Sequence, residues 1–164
     1  MIKEENAMKS LISLAALGLA TLGYASSACA GDVHFKPNPS FTATGAMTVT
    51  AGAVSVPCTA VLKGTTNGTG DDAKITSASF SGLTCAGLTA SGLPWKMEPF
   101  NTGNFAFKRV TVTAVVLGIC GPGHLHALLS PGGAVTISGA GLRGIVPCTV
   151  SATFRTKPAL HIAK

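Results

Sequence analysis

The feature that most constrains this chain is a set of four cysteines, Cys58, Cys85, Cys120 and Cys148, that follows an apolar leader. Cys58 and Cys148 lie in identical Val-Pro-Cys-Thr contexts. An even set of cysteines behind an export signal is typical of disulfide-bonded proteins in an oxidising compartment. The sequence separations of 27 and 28 residues favour the nearest-neighbour pairs Cys58–Cys85 and Cys120–Cys148. The other pairings remain open on the sequence alone.

The first 30 residues are predicted to be a signal peptide, with Met8 as an alternative start. Lys9 supplies a positive charge, residues 11–22 an apolar stretch, and Ala28-Cys29-Ala30 a cleavage site of small residues. The apolar stretch is shorter than the roughly 18 to 20 residues that span a bilayer. We therefore expect no transmembrane segment in the mature chain.

Cleavage after Ala30 removes Cys29 and lowers the cysteine count from five to four. Residues 31–164 are predicted to form a single domain, because no low-complexity linker divides them. We expect a secreted, extracellular protein that is either released or associated with the cell surface. The alternative is a lipoprotein acylated on Cys29, which is disfavoured because Ser26 stands where lipoboxes usually carry leucine.

The mature sequence predicts an all-β fold. It is rich in Thr, Val, Ala, Ser and Gly, with turn signals about every ten residues, a pattern typical of sandwiches and barrels. Apolar and polar residues alternate most clearly over 54–63 and 146–154, as they do in half-buried antiparallel strands. Strands are predicted over 54–63, 74–80, 105–117 and 146–154, and turns at 64–72, 101–104 and 130–133.

An internal repeat refines this prediction. Residues 45–50 lead to the Val-Pro-Cys-Thr of 56–59, and the similar residues 133–138 lead to that of 146–149. Two copies are too few for a solenoid. We therefore predict an antiparallel β-sandwich of about eight strands, with pseudo-symmetric halves and two disulfides.

The sequence offers little for catalysis or for a cofactor. It holds six acidic residues and no G-x-S-x-G motif. His124 and His126 lie near Cys120, but no third ligand with a supporting carboxylate is evident, so a metal site is disfavoured. The net charge of +6 comes from scattered basic residues rather than a patch that would bind nucleic acid. We predict a non-enzymatic protein without a cofactor.

One segment is a candidate apolar contact. Trp95, Met97, Phe100, Phe105 and Phe107 fall within residues 95–107, which hold four of the mature chain's eight aromatic residues. If exposed, these side chains would form a patch suited to an oily surface or a partner protein. The competing interpretation is that they fill the core, which is the usual place of a lone Trp in a small β-domain.

Short motifs also resemble a known family. The leader at 8–20, the Val-Pro-Cys strand, Gly92-Leu93-Pro94-Trp95, Cys120-Gly121-Pro122 and the strand over 146–152, in this order, are similar to the secreted protein activators of alkane oxidation, the PraB-like proteins. The resemblance implies a small extracellular protein that promotes growth on long-chain alkanes by acting at the hydrocarbon–water or cell-surface boundary. Its implied partners are hydrocarbon or components of the cell surface and biofilm matrix. It implies no catalytic residues.

A second function remains open. The chain is also consistent with a subunit of an extracellular matrix fibre, or with an adhesin involved in biofilm formation. Such a subunit would self-associate through exposed strand edges.

Overall fold

The computed structural model of the protein describes residues 33–36, 40–85 and 87–164. The predicted signal peptide and its cleavage site lie outside these residues. The described strands are β1 (His34–Lys36), β2 (Phe41–Ala51), β3 (Val54–Thr66), β4 (Ala73–Ser81), β5 (Thr89–Ser91), β6 (Trp95–Asn101), β7 (Asn104–Ala114), β8 (Gly118–Leu129), β9 (Ala134–Leu142), β10 (Cys148–Lys157) and β11 (His161–Ala163). In this part of the chain, no helix is long and apolar enough to cross a membrane.

The main sheet closes on itself. Strands β7, β6, β4, β3, β2, β10, β9 and β8 lie side by side in that order, and β8 pairs back with β7. Eight antiparallel strands therefore form a barrel. The all-β prediction is confirmed, but the predicted sandwich is wrong. The β7–β8 pairing joins strands that would otherwise be edges, so the apolar side chains surround one interior instead of lying between two sheets.

The internal repeat appears as two hairpins, β2–β3 and β9–β10. These hairpins are neighbours, because β2 pairs with β10 over ten consecutive residues. The two copies thus lie next to each other in one sheet, and the predicted pseudo-symmetric halves do not face each other as layers. The copies differ at their prolines: Pro57 lies within β3, whereas Pro147 precedes β10. The strand predicted over 146–154 therefore begins at Cys148.

The alternation read from the sequence places the core inside the barrel. Along β10 the buried positions are Cys148, Val150, Ala152, Phe154 and Thr156. Side chains of this kind from the other strands fill the interior. The cavity that remains, lined by Trp95, Phe107 and Phe154 among other apolar residues, has a volume of about 20 Å³. Because this is room for about one water molecule, the interior of the described barrel is packed and leaves no chamber for a hydrocarbon chain.

A second, two-stranded sheet covers one end of the barrel. It is formed by β1 and β11, with Phe35 opposite Ile162. The Phe35 ring lies 5.6 Å from the Phe105 ring at an angle of 82°. The Phe35 backbone N–H donates a hydrogen bond to the Gly70 carbonyl oxygen at 2.9 Å. These contacts fasten β1, and through it β11, to β7 and to the β3–β4 loop.

Candidate interfacial surface

The two disulfides lie at the other end of the barrel. They join Cys58 to Cys85 and Cys120 to Cys148, with Cα–Cα distances of 5.5 and 5.8 Å, which are usual for disulfides. This is the nearest-neighbour pairing that the spacing favours. The first bridge ties the loop after β4 to β3, and the second ties β8 to the start of β10. Both therefore hold loops at the same end.

We call this region the disulfide end. It consists of the described loop residues 52–53, 82–85, 87–88, 115–117 and 143–147, together with the strand residues next to them.

Neighbouring loops of the disulfide end are in contact. A Cβ atom placed on Gly52 would lie 3.4 Å from Cγ1 of Val146, and one on Gly87 would lie 3.1 Å from Cγ2 of Val115. The β8 strand also reaches the last loop, through a bridge between Cys120 and Gly144. The loops therefore meet around the disulfides.

Large apolar side chains are exposed at the disulfide end. Of the large apolar side chains exposed in the described residues, those at this end are Val54, Leu83, Val115, Val116, Ile119, Ile145 and Val146, and the others are Phe100 and Leu128. Three loops carry the most exposed ones: the relative exposures of Leu83, Val115 and Ile145 are 104%, 89% and 103%. Apolar residues gathered on one surface in this way mark an interaction site more often than scattered ones do.

Charge is nearly absent from the same surface. Arg143 is the one charged side chain in the described part of the four loops. The acidic side chains of the described residues, Asp71, Asp72 and Glu98, belong to the β3–β4 loop and to β6, toward the opposite end. The barrel is therefore amphiphilic along its length, with an apolar end that the disulfides brace and an opposite end that carries ion pairs.

The aromatic segment named by the sequence lies mostly in the core. Trp95, Met97, Phe105 and Phe107 are buried, with relative exposures between 0% and 4%. The reason is the pairing of β6 with β7, which sets Met97 opposite Phe107 with both side chains directed inward. The candidate surface contact is thus corrected to one of its five members, Phe100, which is 47% exposed.

Phe100 lies beside a small ionic network. Nζ of Lys108 is 5.8 Å from the centre of its ring, and the His126 ring is 5.5 Å away. Lys108 also contacts Oε2 of Glu98 at 3.1 Å, and Lys96 contacts Oε1 of Glu98 at 3.3 Å. The hydrogen bond from Lys108 lowers the pKa of the Glu98 carboxyl below its ordinary value, against the opposing effect of partial burial.

The lowered pKa makes the stabilisation by Glu98 dependent on pH. A carboxyl whose pKa is lowered on folding stabilises the protein above its ordinary pKa of about 4.5, and this contribution is lost as the pH falls through the lowered value. Glu98→Gln should therefore lower the melting temperature modestly at pH 7, and the difference from the wild type should shrink below pH 4.5. Asp71→Asn, at an exposed carboxylate with no ion pair in the described residues, is the control. A difference that stays constant with pH would contradict this role.

The histidines noted in the sequence lie on the opposite face of β8 from Cys120. His124 and His126 are both exposed on the outer face of β8, whereas Cys120 points inward and is held in a disulfide. In the part of the chain that the structure describes, no group of three His, Cys, Asp or Glu side chains is placed to hold a metal ion.

The exposed loop tips were not singled out by sequence reasoning. The strands predicted over 105–117 and 146–154 include Val116 and Val146, but β7 ends at Ala114 and β10 begins at Cys148, so both residues fall in loops and are exposed. The available signal is compositional. Residues 115–117 and 145–146 are apolar at positions between strands, where turns are usually polar.

Comparison with known proteins assigns the chain to a family. No curated protein and no solved structure matches the chain. The family described as alkane oxidation protein activator, PraA/PraB-like, matches residues 6–164. Since the match covers nearly the whole chain, it confirms the resemblance seen in the short motifs. The protein belongs to the PraA/PraB-like family of alkane oxidation protein activators.

Proposed function

We propose that this protein is an exported, non-enzymatic activator of alkane oxidation that adsorbs to the hydrocarbon–water boundary through its disulfide end. The observation that carries the proposal is the concentration of exposed aliphatic side chains, almost without charge, at one end of the barrel. The family match supports a role in alkane use. Transfer of the loop tips from water into hydrocarbon supplies the driving force.

The expected energy is sufficient for adsorption. Burying one Val, Leu or Ile side chain contributes roughly 1.5 to 3 kcal/mol, so Leu83, Val115 and Ile145 together supply on the order of 5 kcal/mol. The disulfides hold the loops in place, so little conformational entropy is lost on adsorption. The packed barrel interior favours contact at the surface over uptake of an alkane chain.

The fibre or adhesin alternative receives less support from the fold. Fibre subunits of the kind predicted would pair through free strand edges. In this barrel the β7–β8 pairing uses two strands that a sandwich would leave as edges.

The direct test replaces the loop tips by serine. For Leu83→Ser/Val115→Ser/Ile145→Ser, the protein concentration needed to lower the hexadecane–water interfacial tension should rise at least about 100-fold, since each 1.4 kcal/mol lost is a factor of ten. Pendant-drop tensiometry and hexadecane emulsification measure this effect. The melting temperature should change little, because the three side chains are exposed.

The matched control is Phe100→Ser/Leu128→Ser, which removes the two exposed apolar side chains outside the disulfide end. This variant should keep the interfacial activity of the wild type. Interfacial activity of the loop-tip variant equal to that of the wild type would contradict the proposal. Filaments that form with rising protein concentration, without any interfacial effect, would favour the fibre subunit instead.

A further inference from the structure

A cleft of about 550 Å³ lies on the outside of the barrel, across β7, β8 and the β9–β10 loop. Its polar side chains are Arg109, His124 and Arg143, and its remaining lining residues are Pro122, Gly123 and Gly141. All three polar side chains are basic, and no carboxylate lines the cleft. The small lining residues leave the backbone accessible between them.

The backbone around the cleft is irregular. The register of β7 against β8 shifts between Phe107 and Val110 and again between Val110 and Val112. Arg109 lies in the first irregularity with a φ of 59°, and it is the one residue other than glycine with a positive φ in the described chain. A left-handed conformation is unfavourable for arginine and is retained mostly at functional positions. Here it places an arginine at the mouth of the cleft.

Close packing of the strands also shapes the cleft. A Cβ atom on Gly123 would lie 2.6 Å from Cδ2 of Leu142, so any larger residue here would have to displace the buried Leu142 side chain. The backbone N–H of Gly121 donates a hydrogen bond to the carbonyl oxygen of Arg143. This bond attaches the loop that carries Arg143 to β8.

The two arginines of the cleft have no carboxylate partner among the described residues. Within the described residues, the side chains of Arg109, His124 and Arg143 make no ion pair or hydrogen bond. By contrast, Lys96 and Lys108 are both paired with carboxylates. Free guanidinium groups offer a fixed fork of donors that matches the two oxygens of a carboxylate.

The cleft borders the disulfide end. Arg143 begins the loop that exposes Ile145 and Val146, two and three residues later. A molecule whose anionic group is held by the arginines can therefore extend an aliphatic chain over the loop tips. Given the function proposed above, on which this inference rests, we infer that the cleft binds the carboxylate of a fatty acid at the hydrocarbon boundary.

Calorimetric titration of the exported protein with dodecanoate, below its micelle concentration, tests this assignment. Arg109→Gly and Arg143→Gln should each weaken dodecanoate binding about tenfold or more, an effect typical of lost charge-assisted hydrogen bonds. Arg109→Gly also removes the left-handed strain, so it should fold at least as well as the wild type. Arg155→Gln removes an equal charge from the outer face of β10, away from the cleft, and should leave binding within about twofold.

Three comparisons separate the possible results. Dodecanol, which has the chain without the charge, should bind the wild type and both cleft variants equally. Equal weakening of dodecanoate binding by Arg155→Gln would overturn the site in favour of non-specific attraction. The protein is also tested for binding to phosphatidylglycerol vesicles. If this binding requires Arg109 and Arg143 while dodecanoate does not bind, the carboxylate assignment is overturned in favour of a phosphate.

The experiments distinguish failure of the fatty-acid site from failure of the proposed interfacial function. Arg109→Gly should still lower the tension of bare hexadecane, because Arg109 lies in β7, outside the disulfide end. Loss of dodecanoate binding with retained tension activity supports the cleft. A loop-tip variant with full tension activity contradicts the proposed function, whatever the arginine variants do.

Discussion

Loss of either disulfide is expected to lower the free energy of unfolding by about 3 to 4 kcal/mol. The bridges close loops with sequence separations of 27 and 28 residues. Cross-linking loops of this length removes conformational freedom from the unfolded chain, and the 20 glycines of the sequence make that freedom large. The variants are Cys58→Ala/Cys85→Ala and Cys120→Ala/Cys148→Ala, which leave no free thiol behind.

Denaturant unfolding of the two variants and the wild type measures this loss. Loss of a bridge should also loosen the loops of the disulfide end. The Cys58–Cys85 bridge holds the loop of Leu83, and the Cys120–Cys148 bridge encloses the loop of Ile145. Weaker interfacial activity at a temperature where the variants remain folded is therefore expected. A loss below about 1 kcal/mol in either variant would contradict a stabilising role of this size.

Replacement of Trp95 by alanine is expected to lower the free energy of unfolding by about 3 to 5 kcal/mol, the range for a large aromatic side chain removed from a core. Trp95 is 4% exposed and lines the small cavity inside the barrel. Its Nε1–H donates a hydrogen bond to the Ser91 carbonyl oxygen at 2.9 Å, which ties the end of the short β5 strand to the first residue of β6. The substitution removes both the packing and this bond.

Phe100→Ala is the matched substitution, because both residues belong to β6 and to the same predicted surface contact. Phe100 is 47% exposed, so its loss should change stability by no more than about 0.5 kcal/mol. Thermal unfolding and tensiometry should be measured on both variants. If Trp95→Ala unfolded like the wild type but lost interfacial activity, Trp95 would belong to the surface contact after all.

The local parts of the fold could be predicted from the residues. The alternation around Cys58 and Cys148 predicts strands with both cysteines inward, and both are buried. The turns predicted at 101–104 and 130–133 occur between β6 and β7 and between β8 and β9. These features depend on side-chain period and on turn chemistry, which act over a few residues.

The candidate site could not be predicted in the same way. The aromatic residues of 95–107 were predicted as a candidate surface contact, but most of them lie in the core. Alternation shows which residues share a face of a strand, but it does not show whether that face is covered. The cleft of Arg109 and Arg143 joins residues that are 34 positions apart in the numbering, through a bulge that no motif announces. Sequence reasoning had no signal for it.

The sequence by itself therefore determined the strands around the two Val-Pro-Cys-Thr motifs, the likeness of the two hairpins, the set of four cysteines and the family. Whether the strands formed two layers or one barrel was decided by the pairing of β7 with β8, a contact between distant backbone groups that leaves no periodic trace in either strand. The same closure brings four separate loops to one end of the barrel, where their apolar tips become a single surface. Tertiary structure alone decided this, because a surface depends on which chain segments are neighbours in space.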